Sequence, residues 1–86
     1  MGKVDLSKLQ IEMLGGEVRE HDFAKELAQV IFGKTQQINE HTFAVDLYKN
    51  PTVELTEENR RIISQYTQSD FLAFVQVAVN KLIEEV

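Results

Sequence analysis

A short alternating segment that ends in two adjacent glycines constrains the fold more than any other part of the chain. Every second residue from Leu9 to Met13 is apolar and the residues between them are polar, which is the period of a strand with one buried face. Gly15 and Gly16 follow, and glycine accepts the positive φ angles of a two-residue hairpin turn. The pattern therefore predicts a β-hairpin over about residues 8–21.

The turn also predicts which residues face each other across the hairpin. With the two glycines as the turn, Met13 lies opposite Val18 on the apolar face, and Glu12 lies opposite Arg19 on the solvent face. Residues 53–55 are a candidate for a short third strand, because Val-Glu-Leu alternates and is β-prone. A hairpin without a third strand or helical cover is marginally stable in water.

Four helices are predicted from apolar residues at helical spacing and from the residues that flank each stretch. Their ranges are about 23–33, 40–49, 57–67 and 70–85. A residue that can cap a helix stands at each start: Asp22, Asn39, Thr56 and Ser69. With Asn39 as the cap, Ile38 and Phe43 occupy the two positions of a hydrophobic staple. The inward stripes of the first three helices are Phe23, Ala24, Leu27, Ala28 and Ile31, then Phe43, Ala44, Leu47 and Tyr48, then Ile62, Ile63 and Tyr66.

These elements predict one α+β domain over residues 1–86, in which an N-terminal β-hairpin, with or without a third short strand, packs on about four α-helices. A chain of 86 residues is too short to bury two separate cores.

The last helix has more apolar residues than one buried face requires. From Phe71 to Val86 only five residues are polar, and a helix that is apolar nearly all round is buried on more than one side. The spare face is covered either by the hairpin and helices of the same chain or by another molecule. The residues predicted to form this core or interface are Phe71, Phe74, Val75, Ala78 and Leu82.

The two histidines occur in similar short motifs, Glu20-His21-Asp-Phe-Ala and Glu40-His41-Thr-Phe-Ala. The functional interpretation is a divalent-metal site built from two imidazoles and two carboxylates. The structural interpretation is that both histidines mark helix starts. We favour the second and predict no metal site, because closely spaced ligand pairs such as His-x3-His are absent from the sequence.

The sequence predicts a protein that is not an enzyme and that needs no cofactor. It has no cysteine, and therefore no thiolate nucleophile or cysteine-bound metal cluster. No serine lies in a glycine elbow. The paired acids Glu57-Glu58 and Glu84-Glu85 stand at helix ends, where we expect them to face water as surface charges rather than act as general acids.

The net charge of −5 argues against general nucleic-acid binding. One alternative is a nucleic-acid-associated regulator in which the second and third helices imitate a helix-turn-helix with Arg60 and Arg61 as its basic residues. Another is an acidic mimic of nucleic acid that blocks a basic host protein. The N-terminus has no apolar region typical of a signal peptide, and no apolar run could span a bilayer, so we expect a cytoplasmic protein.

Four short motifs carry a resemblance to a loose group of proteins. They are Leu14-Gly15-Gly16-Glu17, Ala24-Lys25-Glu26-Leu27-Ala28, Leu47-Tyr48 and Val53-Glu54-Leu55-Thr56. With these motifs in this order, the chain resembles small acidic proteins encoded among prophage and mobile-element genes of bacteria, a group without an assigned activity. The resemblance implies no catalytic or binding residue. The function we predict is protein–protein interaction, with a homodimer formed through the last helix.

Overall fold

The computed structural model describes residues 2–85, and Met1 and Val86 lie outside the described residues. Within that range the chain forms four α-helices and two separate two-stranded antiparallel ladders, which confirms the predicted α+β class. The strands are β1 (Lys3–Asp5), β2 (Leu9–Glu12), β3 (Val18–His21) and β4 (Thr52–Glu54). The helices are α1 (Phe23–Lys34), α2 (Ile38–Lys49), α3 (Glu57–Asp70) and α4 (Ala73–Glu84).

The predicted third strand exists as β4, but it does not extend the hairpin. It pairs with β1, so that Val4 lies opposite Val53. Pro51 directly precedes β4, and the Pro51 carbonyl accepts a hydrogen bond from the Leu6 amide at 3.0 Å. Because proline ends α2, the chain turns back beside the N-terminus, where an unpaired strand is available.

The hairpin β2–β3 forms where predicted, with a different turn. The Gly16 amide donates to the Met13 carbonyl at 2.9 Å, and the Met13 amide donates to the Glu17 carbonyl at 2.7 Å. The loop therefore has three residues rather than two, with Gly16 at φ +85°. A residue in the left-handed conformation at the end of a three-residue loop is a common hairpin geometry, and glycine adopts it without a Cβ clash.

The longer loop shifts the register of β3 by one residue. Glu12 lies opposite Val18, and Ile11 lies opposite Arg19, so both predicted cross-strand pairs are wrong. A shift of one residue turns every side chain to the other face. Val18 is consequently exposed to solvent, and Arg19 shares a face with buried Ile11.

The second helix begins two residues before its predicted start. Gln37 is its N-cap residue and makes no side-chain capping bond. Asn39 lies inside the helix, and Ile38 is its exposed first residue. The predicted cap and hydrophobic staple are therefore wrong, because a staple requires the residue before the cap to pack inward.

The boundary between the last two helices also differs from its prediction. α3 continues to Asp70, and Ser69 lies in its last turn, where the Ser69 hydroxyl donates to the Gln65 carbonyl at 3.0 Å. Ser69 therefore does not cap the last helix, which begins at Ala73. Phe71 separates the helices in extended conformation, and its ring packs edge-on against Phe23 with centroids 4.8 Å apart.

Helix α1 lies at the centre of the core and packs mainly on α2 and α3, while α4 packs on α3 and on strand β2. The predicted inward residues of α1 and α3 are all buried, and α2 buries Phe43, Ala44 and Leu47 but leaves Tyr48 half exposed. Full burial of one such leucine or phenylalanine side chain stabilises the fold by roughly 1.5–3 kcal/mol. Among residues 2–85, no helix has the length and apolarity needed to cross a bilayer.

Candidate protein-binding surfaces

The outer side of α4 exposes large apolar side chains. Leu72, Phe74 and Val77 are 70%, 44% and 66% exposed. The hairpin adds Met13 on one flank of the helix and exposed Val18 on the other. We call these residues, together with Leu82, the α4 face. Apolar residues that are exposed as neighbours, rather than singly, are typical of interaction sites.

The five residues predicted as core or interface occupy different depths on α4 and just before it. Ala78 is buried, whereas Phe71, Val75 and Leu82 are partly buried against the core. Phe74 points outward and is exposed. The inner side of the helix therefore completes the core of the same chain, and Phe74 marks the part of the apolar surplus that the chain does not cover.

Charged residues of both signs line the groove between α4 and strand β2. Lys8 and Lys81 lie in its lining with Glu12 and Glu85. The apolar part of the same lining includes Val18, Val77 and Leu82. A lining that combines apolar and charged side chains is typical of a protein interface.

A second apolar surface lies on the outer side of α1 and α2, and we call it the α1–α2 groove. It has a volume of about 420 Å³. Ala28, Ala44 and Val45 contribute to its lining together with two aromatic side chains, Phe32 and Tyr48. These rings are 58% and 49% exposed. Small residues thus let the two helices approach while the larger rings remain accessible.

One end of the α1–α2 groove carries basic side chains. The Lys25 ammonium lies 5.8 Å from the centre of the Tyr48 ring, within cation–π range. Lys49 lies in the lining at the same end. At the other end the Phe32 ring packs on the His41 ring with centroids 5.0 Å apart. The residues that line the groove include no carboxylate.

Sequence reasoning missed this groove because it assigned each helix one inward stripe. The helical spacing predicts that Tyr48 lies in the core, and it assigns no role to Phe32. The available signal was the position of Phe32, which stands outside the stripe that runs from Phe23 to Ile31. A large aromatic side chain outside the buried stripe of a helix is a candidate for contact with a partner.

A buried carboxylate lies on the opposite side of α2. Glu40 is 4% exposed, and its Oε1 accepts hydrogen bonds from the Thr35 hydroxyl at 2.7 Å and from the Tyr66 hydroxyl at 2.6 Å. Arg61 Nη1 lies 3.8 Å from the other carboxylate oxygen. Sequence reasoning noted Glu40 only as a neighbour of His41, because a glutamate in the first turn of a helix usually faces water.

The pKa values in this cluster move in opposite directions. The Tyr66 hydrogen bond, followed by that of Thr35, lowers the pKa of Glu40 below its ordinary value. Burial, followed by the Glu40 hydrogen bond, raises the pKa of Tyr66. Both groups therefore stay in their ordinary charge states at neutral pH, with Glu40 as acceptor and Tyr66 as donor. The arrangement fixes α2 to α3 and supplies no group poised to exchange a proton.

The two histidines lie in unrelated surroundings. His21 Nε2 lies 3.1 Å from Glu26 Oε1 at the surface, whereas His41 packs on Phe32. Among residues 2–85, no three histidine, aspartate or glutamate side chains gather in a group that could hold a metal ion.

The adjacent arginines considered as basic recognition residues make contacts within the chain. Arg60 Nη1 lies 3.4 Å from the Ile83 carbonyl, and Arg61 donates to Gln65 Oε1 at 3.2 Å. Strand β4 separates α2 from α3, whereas a helix-turn-helix joins its helices by a tight turn. The geometry therefore gives no support to that alternative.

Comparison of the chain with protein-family models, with curated proteins and with solved structures gives no match. The physical character of the surfaces is therefore the basis for assigning a function.

Proposed function

We propose that this protein is a non-enzymatic interaction module that forms a homodimer through the α4 face. The observation that carries the proposal is the exposure of Leu72, Phe74 and Val77 beside the hairpin. A second copy would cover these side chains and remove apolar area from water, at about 25 cal/mol per Å² before the costs of association.

The charges around the α4 face favour a second copy over an unrelated partner. In a dimer with a two-fold axis, the same patch of both copies meets in opposite orientation. Basic and acidic side chains both lie around this patch, so each copy offers both signs to the other. The basic ones are Lys8, Arg19 and Lys81, and the acidic ones are Glu12, Glu20, Glu26, Asp70 and Glu85. A patch of one sign would repel itself.

The hairpin edge is a weaker candidate for dimerisation than the helix. Strand β3 has β2 as its one strand neighbour in the described sheet, but three of its four residues are Arg19, Glu20 and His21. Charged side chains on an edge strand oppose edge-to-edge pairing. We therefore assign the contact to α4, with the hairpin at its margin.

Sedimentation analysis of the full chain tests the proposal. The wild-type protein is expected to be a dimer, and Phe74→Glu/Val77→Glu is expected to be a monomer at the same concentration, because it places two charges in the apolar centre. Ile38→Glu is the control, since Ile38 is an apolar side chain that is 85% exposed and lies outside the α4 face. Circular dichroism checks that each variant is folded.

A wild-type chain that stays monomeric throughout the concentration series would overturn the proposal. So would a folded double variant that remains as dimeric as the wild type.

A cytoplasmic location is part of the same proposal, because small secreted domains are commonly held by disulfides and this chain has no cysteine.

A further inference from the structure

We infer that the α1–α2 groove binds an acidic amphipathic helix of a partner protein, at a site separate from the α4 face. Three observations lead to this occupant: the length of the groove, the exposure of its two aromatic rings and the sign of its charges.

The groove has the length of a short helical contact. Its lining on α1 runs from Ala28 to Phe32. Two contacts seven residues apart on α1 mark its ends, Lys25 near Tyr48 at one end and Phe32 against His41 at the other. Seven helical steps correspond to about 10 Å, or two turns. Apolar side chains at positions i, i+3 or i+4, and i+7 of a partner helix cover this distance, which is the usual mode of helix recognition by a groove.

The aromatic rings provide the apolar contacts. Phe32 and Tyr48 stand on different helices and both line the groove, with Ala28, Ala44 and Val45 between them. Aromatic residues are enriched among the side chains that dominate binding energy when a partner covers them. The small residues leave room for the side chains of a partner helix between the two rings.

The charges determine the chemistry of the partner. In a protein with 14 acidic residues against 9 lysines and arginines, the residues lining this groove include no acid, and Lys25 and Lys49 lie at one end. Two copies that met through this groove would bring like charges together. A partner helix with carboxylates beside its apolar stripe would instead find opposite charges. The groove thus differs from the α4 face, where both signs are present.

The test uses two designed helical peptides that share apolar residues at i, i+3 and i+7 and differ only in their flanking residues, which are glutamate in one and lysine in the other. Fluorescence anisotropy with the full chain measures both affinities. The acidic peptide is expected to bind about tenfold more tightly than the basic peptide at low salt, and added salt is expected to reduce the difference. Equal affinities, or no binding of either peptide, would overturn the inference.

Variants locate the binding site. Phe32→Ala is expected to weaken binding of the acidic peptide about tenfold or more, and Lys25→Glu/Lys49→Glu is expected to shift the preference toward the basic peptide. Lys3→Glu/Lys8→Glu is the matched charge control, because it changes the net charge by the same amount at two exposed lysines outside the groove, and it should leave both affinities unchanged. Phe74→Glu/Val77→Glu should also bind the acidic peptide normally, so that a failure of this inference is distinguishable from a failure of the dimer proposal.

Self-association gives an independent readout. Phe32→Ala is expected to sediment like the wild type. If it abolishes dimerisation while Phe74→Glu/Val77→Glu does not, the groove holds a second copy, and the inference of an acidic partner helix is wrong.

Discussion

The Tyr66 hydroxyl donates to Glu40 Oε1 across 2.6 Å, and this hydrogen bond joins α3 to the first turn of α2. Both side chains are buried. Thr35 donates to the same oxygen from the connection between α1 and α2, so one carboxylate joins this connection, α2 and α3. The relationship matters for the α1–α2 groove because it fixes the start of α2, which forms one side of that groove.

Removal of the Tyr66 hydroxyl should destabilise the fold. Tyr66→Phe is expected to lower the free energy of unfolding by roughly 1.5–3 kcal/mol, the range for a hydrogen bond to a charged group. Urea denaturation at neutral pH measures the change. Tyr48→Phe is the control and should have little effect, because Tyr48 is half exposed. Equal stability of Tyr66→Phe and wild type would contradict this role.

Acidification should remove the contribution of Glu40 to stability. Its pKa in the folded protein lies below the ordinary value of 4.5, chiefly because Tyr66 and Thr35 donate to the carboxylate. The unfolded chain therefore takes up the proton first, and stability is fully present above the unfolded pKa and lost as pH falls through the folded pKa.

The comparison of wild type with Glu40→Gln isolates this effect. The wild type should be more stable at neutral pH, and the difference should shrink as pH falls below the ordinary glutamate pKa of 4.5 and then through the lower pKa of folded Glu40. Some acid sensitivity should persist in Glu40→Gln, because the pKa of Asp70, which accepts from Lys34, is also lowered. A stability difference that does not change with pH would refute this assignment.

Alanine substitution of the two adjacent glycines in the hairpin loop should change stability by different amounts. Gly16 has φ +85°, where a Cβ is strained, so Gly16→Ala is expected to cost roughly 1–2 kcal/mol. Gly15 has no positive φ, and an added Cβ would meet no atom within 4 Å. Gly15→Ala should therefore be neutral or slightly stabilising. Thermal unfolding of both variants checks the difference, and equal melting temperatures would contradict the observed turn.

Helix capping offers a second matched pair. The Thr56 hydroxyl accepts the Asn59 amide at 3.1 Å at the start of α3, and Thr56→Ala is expected to cost about 1 kcal/mol. Asp22 precedes α1 but makes no side-chain capping bond, so Asp22→Ala should change stability less. Denaturant titration of both variants tests this order, and a larger loss in Asp22→Ala would reverse it.

Local sequence patterns predicted the element types well and the junctions less well. The stripe from Phe23 to Ile31 and the pair Ile62 and Ile63 are buried as helical spacing requires. The start of the last helix was wrong because Ser69 is a good capping residue, yet the packing of Phe71 on Phe23 sets where the chain turns. Local capping preference is worth about 1 kcal/mol, less than the burial of an aromatic ring.

The hairpin register is another feature that local sequence patterns could not predict. A two-residue and a three-residue loop both place glycine near the turn, and the difference of one residue decides whether Val18 or Arg19 lies on the same face as Ile11. The alternation of β2 is unambiguous from Leu9 to Met13, but β3 has charged residues at 19 and 20 and histidine at 21, so its own pattern could not select the register.

The sequence predicted one of the two candidate surfaces. The surplus of apolar residues after Phe71 indicated that one side of the last helix exceeds what the core needs, and Phe74 is exposed on that side. The α1–α2 groove was not foreseen, since it requires Phe32 and Tyr48 to stand on the same side of two different helices. Buried Glu40 was not foreseen either, because its partners Thr35 and Tyr66 come together only through helix packing.

The sequence by itself determined the α+β class, the number of helices and the inward stripes of α1 and α3, because the periodicity of apolar residues is a local property of the chain. Only the tertiary structure decided the hairpin register, the pairing of β4 with β1, the burial of Glu40 and which side of each helix remains exposed. Each of these depends on contacts between residues far apart in sequence, and a local pattern carries no information about which distant surface will cover it.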